Sequence, residues 1–272
     1  MIPKVALSDQ TFRCLRDFIY ELTGIYIQDT KKYFLENRLG RLMAESRIAT
    51  FEDYLGRLKS QGNGALRQLY DAVTTNETYF FREPLQFDVF AKHVVPRVME
   101  RKRSIKVWSA ACSTGEEPYT IAAVLRETAP AVKATIVGSD ISEAVLDSAR
   151  RGVYTSYAVR NVPPSYQQKY FRGDNGTYEL EEGLRKSVTF ANINLVDDRK
   201  VRSIRDVDVI FCRNALIYFD DKSKRKAVSL LYDALAPEGF LLVGTSESLH
   251  SVTRAFQPTV IDSVVLYRKA AS

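Results

Sequence analysis

Small and acidic residues follow two predicted strands at the positions where an α/β protein binds a ligand. Residues 109–118, which follow the apolar run 105–108, read SAACSTGEEP and contain a single glycine, Gly115. In a doubly wound sheet such a loop approaches a cofactor. The G-x-G-x-x-G signature that binds a pyrophosphate is absent, and Glu116 and Glu117 would repel a phosphate. The loop therefore disfavours a dinucleotide.

A cationic cofactor without phosphates suits this loop better. S-adenosylmethionine carries a sulfonium and an amino group, and Glu117 is the candidate to stabilise them. Asp140 ends the next predicted strand, where Rossmann-like folds bind ribose hydroxyls, and it is the candidate ribose ligand. Two alternatives stay open. The helix macrodipole would also favour Glu116 and Glu117, and Asp140 would also suit a turn.

The composition bounds the class of protein. The 272 residues suffice for one large α/β domain, or for a domain with a smaller companion. Hydrophobic and charged fractions of 45% and 26% match an average globular protein and exclude disordered and fibrous classes. No apolar stretch is long enough to span a membrane, and residues 1–5 lead into a polar helical pattern rather than a signal core. A cytoplasmic location is expected.

Cysteine, histidine and net charge narrow the chemistry. The three cysteines, Cys14, Cys112 and Cys212, are widely spaced, which argues against a disulfide framework and against a cysteine-based zinc site. No metal is expected. The two histidines are far apart in sequence, so a histidine-dependent mechanism lacks support. The net charge of +6 suits an acidic partner but does not choose among nucleic acid, membrane and protein.

The first 73 residues predict a small, all-helical domain. Apolar residues recur at spacings of three and four from residue 12 to residue 22, with Ser8 as the N-cap and Gly24 as the stop. The same spacing predicts three further helices, over residues 33–42, 51–58 and 66–73.

The rest of the chain alternates short apolar runs with helical stretches. Strands are predicted over residues 105–108, 134–137, 208–211 and 240–243, and helices over residues 119–126, 143–150 and 222–235. This alternation predicts an α/β fold with a mostly parallel, doubly wound, Rossmann-like sheet. Residues 163–192 break the pattern, because the apolar runs 178–180 and 188–190 flank a polar turn. They predict a hairpin within a small antiparallel β insertion.

Three longer motifs occur in order along the chain. Residues 74–83 read TTNETYFFRE, residues 108–119 read WSAACSTGEEPY, and residues 210–220 read IFCRNALIYFD. Together with GTSESL at residues 244–249, they resemble the CheR family over essentially the whole chain. Proteins of that family are chemoreceptor glutamate O-methyltransferases.

The resemblance implies a domain arrangement and a reaction. A class I methyltransferase domain would span residues 85–272, with a β subdomain at 163–192 inserted in it. The linker 74–84 would contribute to the cofactor pocket, and the helical domain 1–73 would contact the receptor. The donor would be S-adenosyl-L-methionine and the product S-adenosyl-L-homocysteine. Methyl esters formed on specific receptor glutamates would tune sensory adaptation.

The same resemblance implies the site residues. The cofactor-binding set comprises Asn76, Thr78, Arg82, Ala111, Glu117, Asp140, Asn194, Leu195, Asn214 and Ala215. Arg82 and Tyr218 are the candidate catalytic residues. Arg82 would hold the incoming carboxylate as a charge-assisted pair, and Tyr218 would border the transferred methyl and offer its ring face to the sulfonium. The alternatives are that Arg82 pairs structurally with Glu83 or Glu77 and that Tyr218 is a packing residue.

The proposed chemistry requires no general base. Methyl transfer from a sulfonium to a carboxylate is an in-line displacement, and a glutamate with a pKa of about 4.3 is already ionised at neutral pH. Catalysis can then rest on positioning and on removing water from the carboxylate. The scarcity of histidine is therefore no handicap.

Basic side chains of the helical domain predict a contact with the receptor. Lys31, Lys32, Arg38 and Arg41 have a spacing that would place several of them on one helix face, which would attract the acidic methylation helices of a chemoreceptor. A solvated helix surface is the alternative. The resemblance also implies that the β subdomain of some members binds a peptide from the receptor C-terminus, which the sequence leaves open here. The membrane would be involved only through the receptor.

Two other classes of protein remain in view. A nucleic-acid methyltransferase would share the Rossmann-like core and the basic charge, and residues 214–218 loosely resemble the Asn-Pro-Pro-Tyr of amino-group methylating enzymes. The prolines are missing, so no nucleic acid is expected. A catalytically silent binding module is the second alternative, and the intact Asn76, Arg82, Asp140 and Asn214 argue against it.

Overall fold

A computed structural model of the protein describes residues 6–60 and 62–271. Residues 1–5 of the predicted helical domain and Ser272 of the predicted methyltransferase domain lie outside the described residues. The chain forms two compact units. The smaller comprises the described residues up to Thr75 together with Tyr218–Ser223, and the larger comprises Asn76–Ile217 and the described residues from Lys224 onwards.

The smaller unit is helical. Its helices are α1 Asp9–Thr23, α2 Lys32–Glu45, α3 Phe51–Ser60 and α4 Gly62–Val73, with a 3-10 turn at Asp29–Lys31 before α2. Ser8 caps α1 by accepting a hydrogen bond from the backbone of Thr11, and Gly24 ends the helix at a φ of 73°. Both were predicted from the sequence. Leu15 and Leu39 are fully buried in the apolar core of this unit.

A segment distant in sequence completes the helical unit. In Tyr218–Ser223, Phe219 forms an isolated antiparallel bridge with Ile25. The backbone N–H of Tyr26 donates to the carbonyl of Tyr218 at 2.9 Å. These backbone bonds attach the end of the third sequence motif to the residues that follow α1.

The strands belong to two sheets of the larger unit. In chain order they are β1 Ser104–Ala110, β2 Lys133–Asp140, β3 Val153–Thr155, β4 Phe171–Arg172, β5 Thr177–Leu180, β6 Val188–Asn192, β7 Val207–Cys212, β8 Leu235–Val243, β9 Phe256–Ile261 and β10 Val264–Lys269. Seven of them form one sheet in the order β6-β2-β1-β7-β8-β10-β9, and β3, β5 and β4 form the other.

The seven-stranded sheet is mostly parallel. β1 pairs in parallel with β2 and β7, β2 with β6, and β7 with β8, whereas β10 is antiparallel to β8 and β9. Val107 of β1 lies opposite Ile136 on one side and Val209 on the other. Every residue of β7 is buried, as expected for a parallel strand covered on both faces. This architecture confirms the predicted Rossmann-like fold.

Short helices connect the strands of the larger unit. They are α5 Pro84–Val89, α6 Val95–Met99, α7 Glu116–Thr128, α8 Glu143–Arg151, α9 Ser156–Val159, α10 Pro164–Tyr170, α11 Glu182–Lys186, α12 Asp198–Val201 and α13 Asp221–Ala234. A π-helical turn, Phe90–Val94, joins α5 to α6, and Leu216–Tyr218 forms a 3-10 turn. Ser142 caps α8 by accepting a hydrogen bond from the backbone of Val145 at its side chain. Trp108 and Phe211 are fully buried, and the burial of such a side chain contributes roughly 1.5–3 kcal/mol.

The three-stranded sheet confirms a small antiparallel β insertion, but the predicted hairpin is wrong. β5 pairs with β3, where Tyr178 lies opposite Tyr154, and with β4, where Leu180 lies opposite Phe171. Residues 188–192 do not take part in this sheet. The strands of the insertion therefore occupy residues 153–180 rather than the predicted hairpin.

Strand β6 belongs to the main sheet instead. Its Val188 lies opposite Ile136 of β2, in a parallel pairing. The sequence predicted that residues 188–190 are extended, but an apolar run carries no signal that identifies its partner strand. The helix α11 separates β5 from β6 and replaces the tight turn that a hairpin would need.

All three cysteines are free. Cys14 is exposed, whereas Cys112 and Cys212 are buried. Burial raises the pKa of both buried thiols well above its usual value, so they remain protonated and unreactive near neutral pH. Within the described residues, no helix is both long and apolar enough to cross a membrane.

Candidate active site

Seven of the ten predicted cofactor residues lie at or shortly after the carboxyl ends of parallel strands. β1, β2, β6 and β7 run in the same direction, so their carboxyl ends share one edge of the sheet. The chain passes from β1 to β2 and β6 on one side, and then returns to β7 on the other side of β1. Ligands of open α/β sheets bind where the strand order reverses in this way. The loops after β1 and β7 flank that point.

The loop after β1 has an unusual backbone. Ala111, Ser113 and Gly115 have positive φ angles of 64°, 49° and 93°. This conformation is uncommon for residues with a Cβ, and it often occurs at binding sites. A Cβ on Gly115 would lie 2.8 Å from the Cβ of Ala149, so only glycine fits there. The small side chains of this loop allow its main chain to approach a ligand closely.

Asp140, the predicted ribose ligand, ends β2 and is only 6% exposed. Its Oδ2 accepts a hydrogen bond from the backbone N–H of Ser113 at 2.9 Å, and its Oδ1 accepts one from that of Ser142 at 3.0 Å. These bonds connect the loops after β1 and β2. A carboxylate offers about four acceptor positions, so the group at this strand end is of a type that can bind a ligand hydroxyl.

The loop after β6 carries two further predicted cofactor residues. Asn194 accepts a hydrogen bond at its Oδ1 from the backbone N–H two residues on, at 3.1 Å, and Leu195 is buried. Asn192, which the sequence did not single out, donates from Nδ2 to the carbonyl of Ile141 at 2.8 Å. Because β6 is adjacent to β2, these contacts place the loop beside Asp140.

Glu117, in the first turn of α7, is bonded at both carboxylate oxygens. The hydroxyl of Ser109 donates to Oε1 at 2.7 Å, and Nη1 of Arg213 donates to Oε2 at 2.9 Å. Burial raises the pKa of Glu117, and the attraction of Arg213 and the hydrogen bond from Ser109 offset only part of that effect. The sequence identified no partner for this carboxylate, whereas the structure provides it with a buried cationic one.

Arg213 is the main site residue that sequence reasoning missed. Its side chain is only 2% exposed, and besides Glu117 it pairs with Glu83, at 3.2 Å between Nη2 and Oε2. The same nitrogen donates to the backbone carbonyl of Arg82. A buried guanidinium requires such partners because desolvation penalises an unpaired charge. The available signal was an arginine directly after a mostly apolar strand, in the motif that also contains Asn214.

Glu83 connects several segments around Arg213. Its Oε2 accepts from the backbone N–H of Thr245 at 3.1 Å and from the side-chain amide of Gln86 at 3.0 Å, and the amide of Asn214 lies 3.4 Å from Oε1. Burial acts to raise the pKa of Glu83, but its attraction to Arg213 and its hydrogen bonds together outweigh burial. The pKa therefore lies below its usual value, and Glu83 is ionised at neutral pH.

Glu247 organises the loop after β7. The backbone N–H of Asn214, whose φ is 56°, donates to its Oε2 at 2.7 Å, and that of Ile217 donates to its Oε1 at 3.1 Å. A Cβ on Gly244 would come within 2.7 Å of Nδ2 of Asn214, so the two chain segments are closely packed. Glu247 is a second residue that sequence reasoning missed, and it fixes the loop that contains the partly exposed Ala215.

The segment before α5 carries the predicted cofactor residues Asn76 and Thr78, which are both partly exposed. The carbonyl of Asn76 accepts a hydrogen bond from the hydroxyl of Ser113 at 3.1 Å. The backbone N–H of Phe80 donates to the carbonyl of Ala158 at 2.9 Å. These bonds place Asn76 against the loop that follows β1.

Arg82, a candidate catalytic residue, is partly exposed on the same segment. Its Nη1 donates to the backbone carbonyl of Glu77 at 2.9 Å, and its guanidinium carbon lies 5.8 Å from the ring centroid of Tyr79. In the described part of the chain, Arg82 forms no ion pair with the carboxylates of Glu77 or Glu83. A guanidinium has five N–H donors, so Arg82 can still bind a ligand carboxylate.

Glu116, which precedes Glu117, has a different environment. It is only 3% exposed, and the hydroxyl of Thr114 donates to its carboxylate at 2.7 Å. Burial raises the pKa of Glu116 to about 7, and the bond from Thr114 offsets only part of that effect. Glu116 therefore titrates near neutral pH beneath the loop after β1.

Tyr218, the second candidate catalytic residue, belongs to the smaller unit. It ends a 3-10 turn and is partly exposed. The backbone bond from Tyr26 accounts for the position of its main chain. The role of its ring remains a prediction.

The predicted receptor-contact residues lie in and next to α2, and they are Lys31, Lys32, Arg38 and Arg41. Lys32 pairs with Asp9 at 2.7 Å, and Arg41 pairs with Glu45 at 3.1 Å. Arg38 is exposed and donates to a backbone carbonyl of α4 at 3.4 Å. Neighbouring carboxylates therefore partly neutralise two of the four charges.

The residues at this edge of the sheet fit S-adenosylmethionine. Asp140 has acceptor capacity for ribose hydroxyls, and the carboxylate of Glu117 can face a cationic amino group. The left-handed loop after β1 allows the close approach of a ligand without offering a phosphate site. Among the described residues, no group of three His, Cys, Asp or Glu side chains could hold a metal ion. This arrangement suits transfer of a group from a cationic donor.

Two family models cover most of the chain. The model described as "CheR methyltransferase, SAM binding domain" matches residues 76–265. The model described as "CheR methyltransferase, all-alpha domain" matches residues 10–74. The boundary between the two matches lies at the boundary between the two compact units.

Curated proteins resemble the chain over nearly its full length. Chemotaxis protein methyltransferase 2 of Vibrio cholerae is 38% identical over 261 residues, which cover 93% of this chain and 90% of that protein. The chemotaxis protein methyltransferase of Escherichia coli K12 is 36% identical over 264 residues, which cover 94% and 90%. That of Borreliella burgdorferi is 36% identical over 253 residues, which cover 89% of each chain.

Proposed function

Because this chain belongs to the CheR methyltransferase family and is an S-adenosylmethionine-dependent methyltransferase, we propose that it esterifies glutamate side chains of chemoreceptors. The product would be a protein glutamate methyl ester together with S-adenosylhomocysteine. One observation carries the proposal. The edge of the sheet where the strand order reverses carries carboxylates with little exposure, among them Asp140 at the end of β2 and Glu117 in α7, and the loop after β1 lacks a phosphate-binding signature.

We assign the donor site to residues of the larger unit that the sequence predicted and to one that it did not. Asp140 would accept from the ribose hydroxyls, and Glu117 would attract the amino group. Arg213 supports this role because it fixes the carboxylate of Glu117 at 2.9 Å. The remaining proposed contacts are those of Asn76, Thr78, Ala111, Asn194, Leu195, Asn214 and Ala215.

The reaction needs little from the protein beyond placement. When bound, S-adenosylmethionine supplies a methyl group on a sulfonium, which an ionised carboxylate can displace in line. Arg82 would orient the acceptor carboxylate through charge-assisted hydrogen bonds, and Tyr218 would border the transferred methyl. Too tight a pairing at Arg82 would also stabilise the ground state, so its partly exposed position suits transient contact.

The acceptor assignment draws on the relatives, which are named chemotaxis protein methyltransferases. In this proposal residues 1–73 contact acidic methylation helices of a receptor, residues 74–84 contribute to the donor pocket, and residues 85–272 carry out the transfer. Arg38 would make one of these charged contacts from an exposed position. The protein would act in the cytoplasm and reach the membrane only through the receptor.

Methyl transfer to receptor-containing membranes tests this proposal. The purified protein is incubated with radiolabelled S-adenosylmethionine and membranes that contain chemoreceptors, and the labelled protein is then treated with mild alkali. We expect label on the receptor that is released as methanol, which identifies a methyl ester. Membranes without receptors are the control. Alkali-stable label, or label in added RNA or DNA, would contradict the proposed acceptor.

A further inference from the structure

Two tyrosines and an arginine, Tyr79, Tyr157 and Arg160, form a cation–π cluster beside Arg82. The guanidinium carbon of Arg160 lies 3.6 Å from the ring centroid of Tyr79 and 3.6 Å from that of Tyr157. The two rings are 6.5 Å apart, at an interplanar angle of 78°. Both distances are well within the range in which a cation is attracted to an aromatic ring, and the flat guanidinium can contact two rings at once.

The cation–π cluster contacts or includes both neighbours of the Arg82 side chain, which are Glu77 and Tyr79. The hydroxyl of Tyr157 donates to Oε1 of Glu77 at 3.0 Å. The backbone of Glu77 in turn accepts from Arg82, whose guanidinium also lies 5.8 Å from the ring of Tyr79. Tyr157 and Arg160 are therefore connected to Arg82 through Glu77 and Tyr79.

The backbone conformation around Arg82 explains why the Arg82 side chain needs support from its neighbours. Phe81 and Glu83, on either side of it, have positive φ angles of 56° and 58°. Such conformations persist only where surrounding contacts impose them. Phe80 and Phe81 are anchored by burial, but the side chain of Arg82 is partly exposed and has no buried anchor of this kind. Its orientation then depends on the two surface neighbours, Glu77 and Tyr79.

We propose that Tyr157 and Arg160 are positioning residues that orient Arg82 toward a carboxylate in the active site. The inference rests on the proposed function, which assigns the carboxylate-binding role to Arg82. Two groups in the reaction carry a carboxylate, the acceptor glutamate and the amino-acid part of the donor. Tyr157 is 54% exposed, so the cation–π cluster contributes little to the stability of the fold and chiefly affects where Arg82 lies.

A double-mutant cycle tests the coupling directly. Arg160→Ala is introduced into the wild-type protein and into Arg82→Lys, and methyl transfer to receptor membranes is measured. If Arg160 acts through Arg82, we expect about a tenfold loss of kcat/KM in the wild-type background and less than about a twofold further loss in the Arg82→Lys background. Equal losses in the two backgrounds would overturn the proposal, because Arg160 would then act independently of Arg82.

Conservative variants separate positioning from charge. Arg160→Lys keeps the charge but not the flat group that contacts both rings, and we expect it to retain most of the defect. Tyr157→Phe keeps the ring and removes the hydrogen bond to Glu77, so we expect a smaller defect than that of Tyr157→Ala. Full recovery in Arg160→Lys would mean that positive charge alone matters, which would also overturn the proposal. Arg150→Ala, an exposed arginine variant on α8, is the matched control, and we expect it to match the wild type.

The affinity for S-adenosylhomocysteine identifies which of the two carboxylates Arg82 binds. Titration calorimetry with S-adenosylhomocysteine, which retains the amino-acid carboxylate of the donor, is carried out on the same variants. A weakened affinity in Arg160→Ala assigns Arg82 to the donor, and an unchanged affinity with a raised KM for receptor assigns it to the acceptor. Thermal unfolding should be unchanged in either case. If the wild-type protein forms no base-labile label, the proposed function fails. Normal labelling with independent effects of Arg160 and Arg82 overturns only this inference.

Discussion

Buried carboxylates at the carboxyl edge of the sheet are stabilised in two different ways. Glu83 and Glu117 share one buried cation, Arg213, which follows the neighbouring strand β7. Asp140 is bonded by backbone N–H groups, and Glu116 by the hydroxyl of Thr114. The first pair depends on a partner charge, whereas the other two depend on neutral donors.

The difference appears in the pKa values of these carboxyl groups. With Arg213 beside it, the pKa of Glu83 lies below its usual value despite burial. Glu116 is bonded by neutral donors, and burial raises its pKa to about 7. The pKa of Glu117 is raised although it contacts the same cation as Glu83, because its deeper burial outweighs that attraction. A strong ion pair and a titrating acid therefore occupy consecutive positions of one helix.

Removing the shared cation should have the largest effect. Arg213→Met leaves two carboxylates in a buried environment without their partner, and we expect the free energy of unfolding to fall by about 3–5 kcal/mol. Denaturant unfolding measures it. Combining Arg213→Met with Glu83→Gln and Glu117→Gln should recover much of the loss, since no buried charge remains unpaired. If Arg213→Met were as stable as the wild type, Glu83 and Glu117 would not depend on a partner charge, and the comparison with Asp140 and Glu116 would fail.

The pH dependence of stability tests the carboxylate that lacks a cation. Because the pKa of Glu116 is raised from 4.5 to about 7 in the folded state, its stabilising contribution is complete below about pH 4.5 and is lost as the pH rises to about 7. The total is at most about 3 kcal/mol. Glu116→Gln cannot ionise, so its stability relative to the wild type should increase between pH 5 and pH 8.

Unfolding at several pH values in that window measures this difference. The exposed Glu100→Gln is the control, and we expect it to follow the wild type at every pH. A constant difference between Glu116→Gln and the wild type from pH 5 to pH 8 would show that burial does not shift this group.

Asp140, whose carboxylate accepts hydrogen bonds from backbone N–H groups, should contribute mainly to ligand binding. Asp140→Ala removes charge-assisted bonds to the ribose, and we expect the affinity for S-adenosylhomocysteine to fall by about 1.5–3 kcal/mol, roughly tenfold to a hundredfold. Titration calorimetry measures it. Asp233→Ala, an exposed aspartate variant on α13, should bind like the wild type. An unchanged dissociation constant in Asp140→Ala would exclude it as the ribose ligand.

The smallest effects should come from exposed cations of the helical unit, where solvent screens each charge. Charge reversal in Arg38→Glu should slow receptor methylation several-fold at low salt and less at high salt. Lys32→Glu should have a smaller effect, because Lys32 already pairs with Asp9 at 2.7 Å. Initial rates at two salt concentrations measure both. Wild-type rates for Arg38→Glu at low salt would exclude this contact.

The fold was predictable wherever the signal is local. The N-cap of α1 at Ser8 and its end at Gly24 follow from side-chain chemistry and backbone conformation within a few residues, and both are as predicted. The buried strands β1 and β7 were recognisable as apolar runs. The error concerned residues 188–190, which are extended as predicted but pair with β2 rather than with β5. Strand pairing joins segments about fifty residues apart, and an apolar run does not encode it.

The candidate site was predictable in part for the same reason. Asp140 and Glu117 were recognisable because each follows a predicted strand, where the geometry of α/β sheets places ligands. The contact between Glu117 and Arg213 was not, because the two residues are 96 positions apart and meet only when β7 lies beside β1. The roles of Glu83 and Glu247 were missed for the same reason, since each bonds loops that the sequence keeps apart.

By itself, the sequence determined the family, the order of helices and strands, and the acidic character of the loops after β1 and β2, because these depend on residue type and short-range spacing. Only the tertiary structure decided which carboxylates share a cation, which one titrates near neutral pH, and which surface residues lie around Arg82. Those properties depend on distances of a few ångströms and on exclusion of water, which arise only when distant segments pack together.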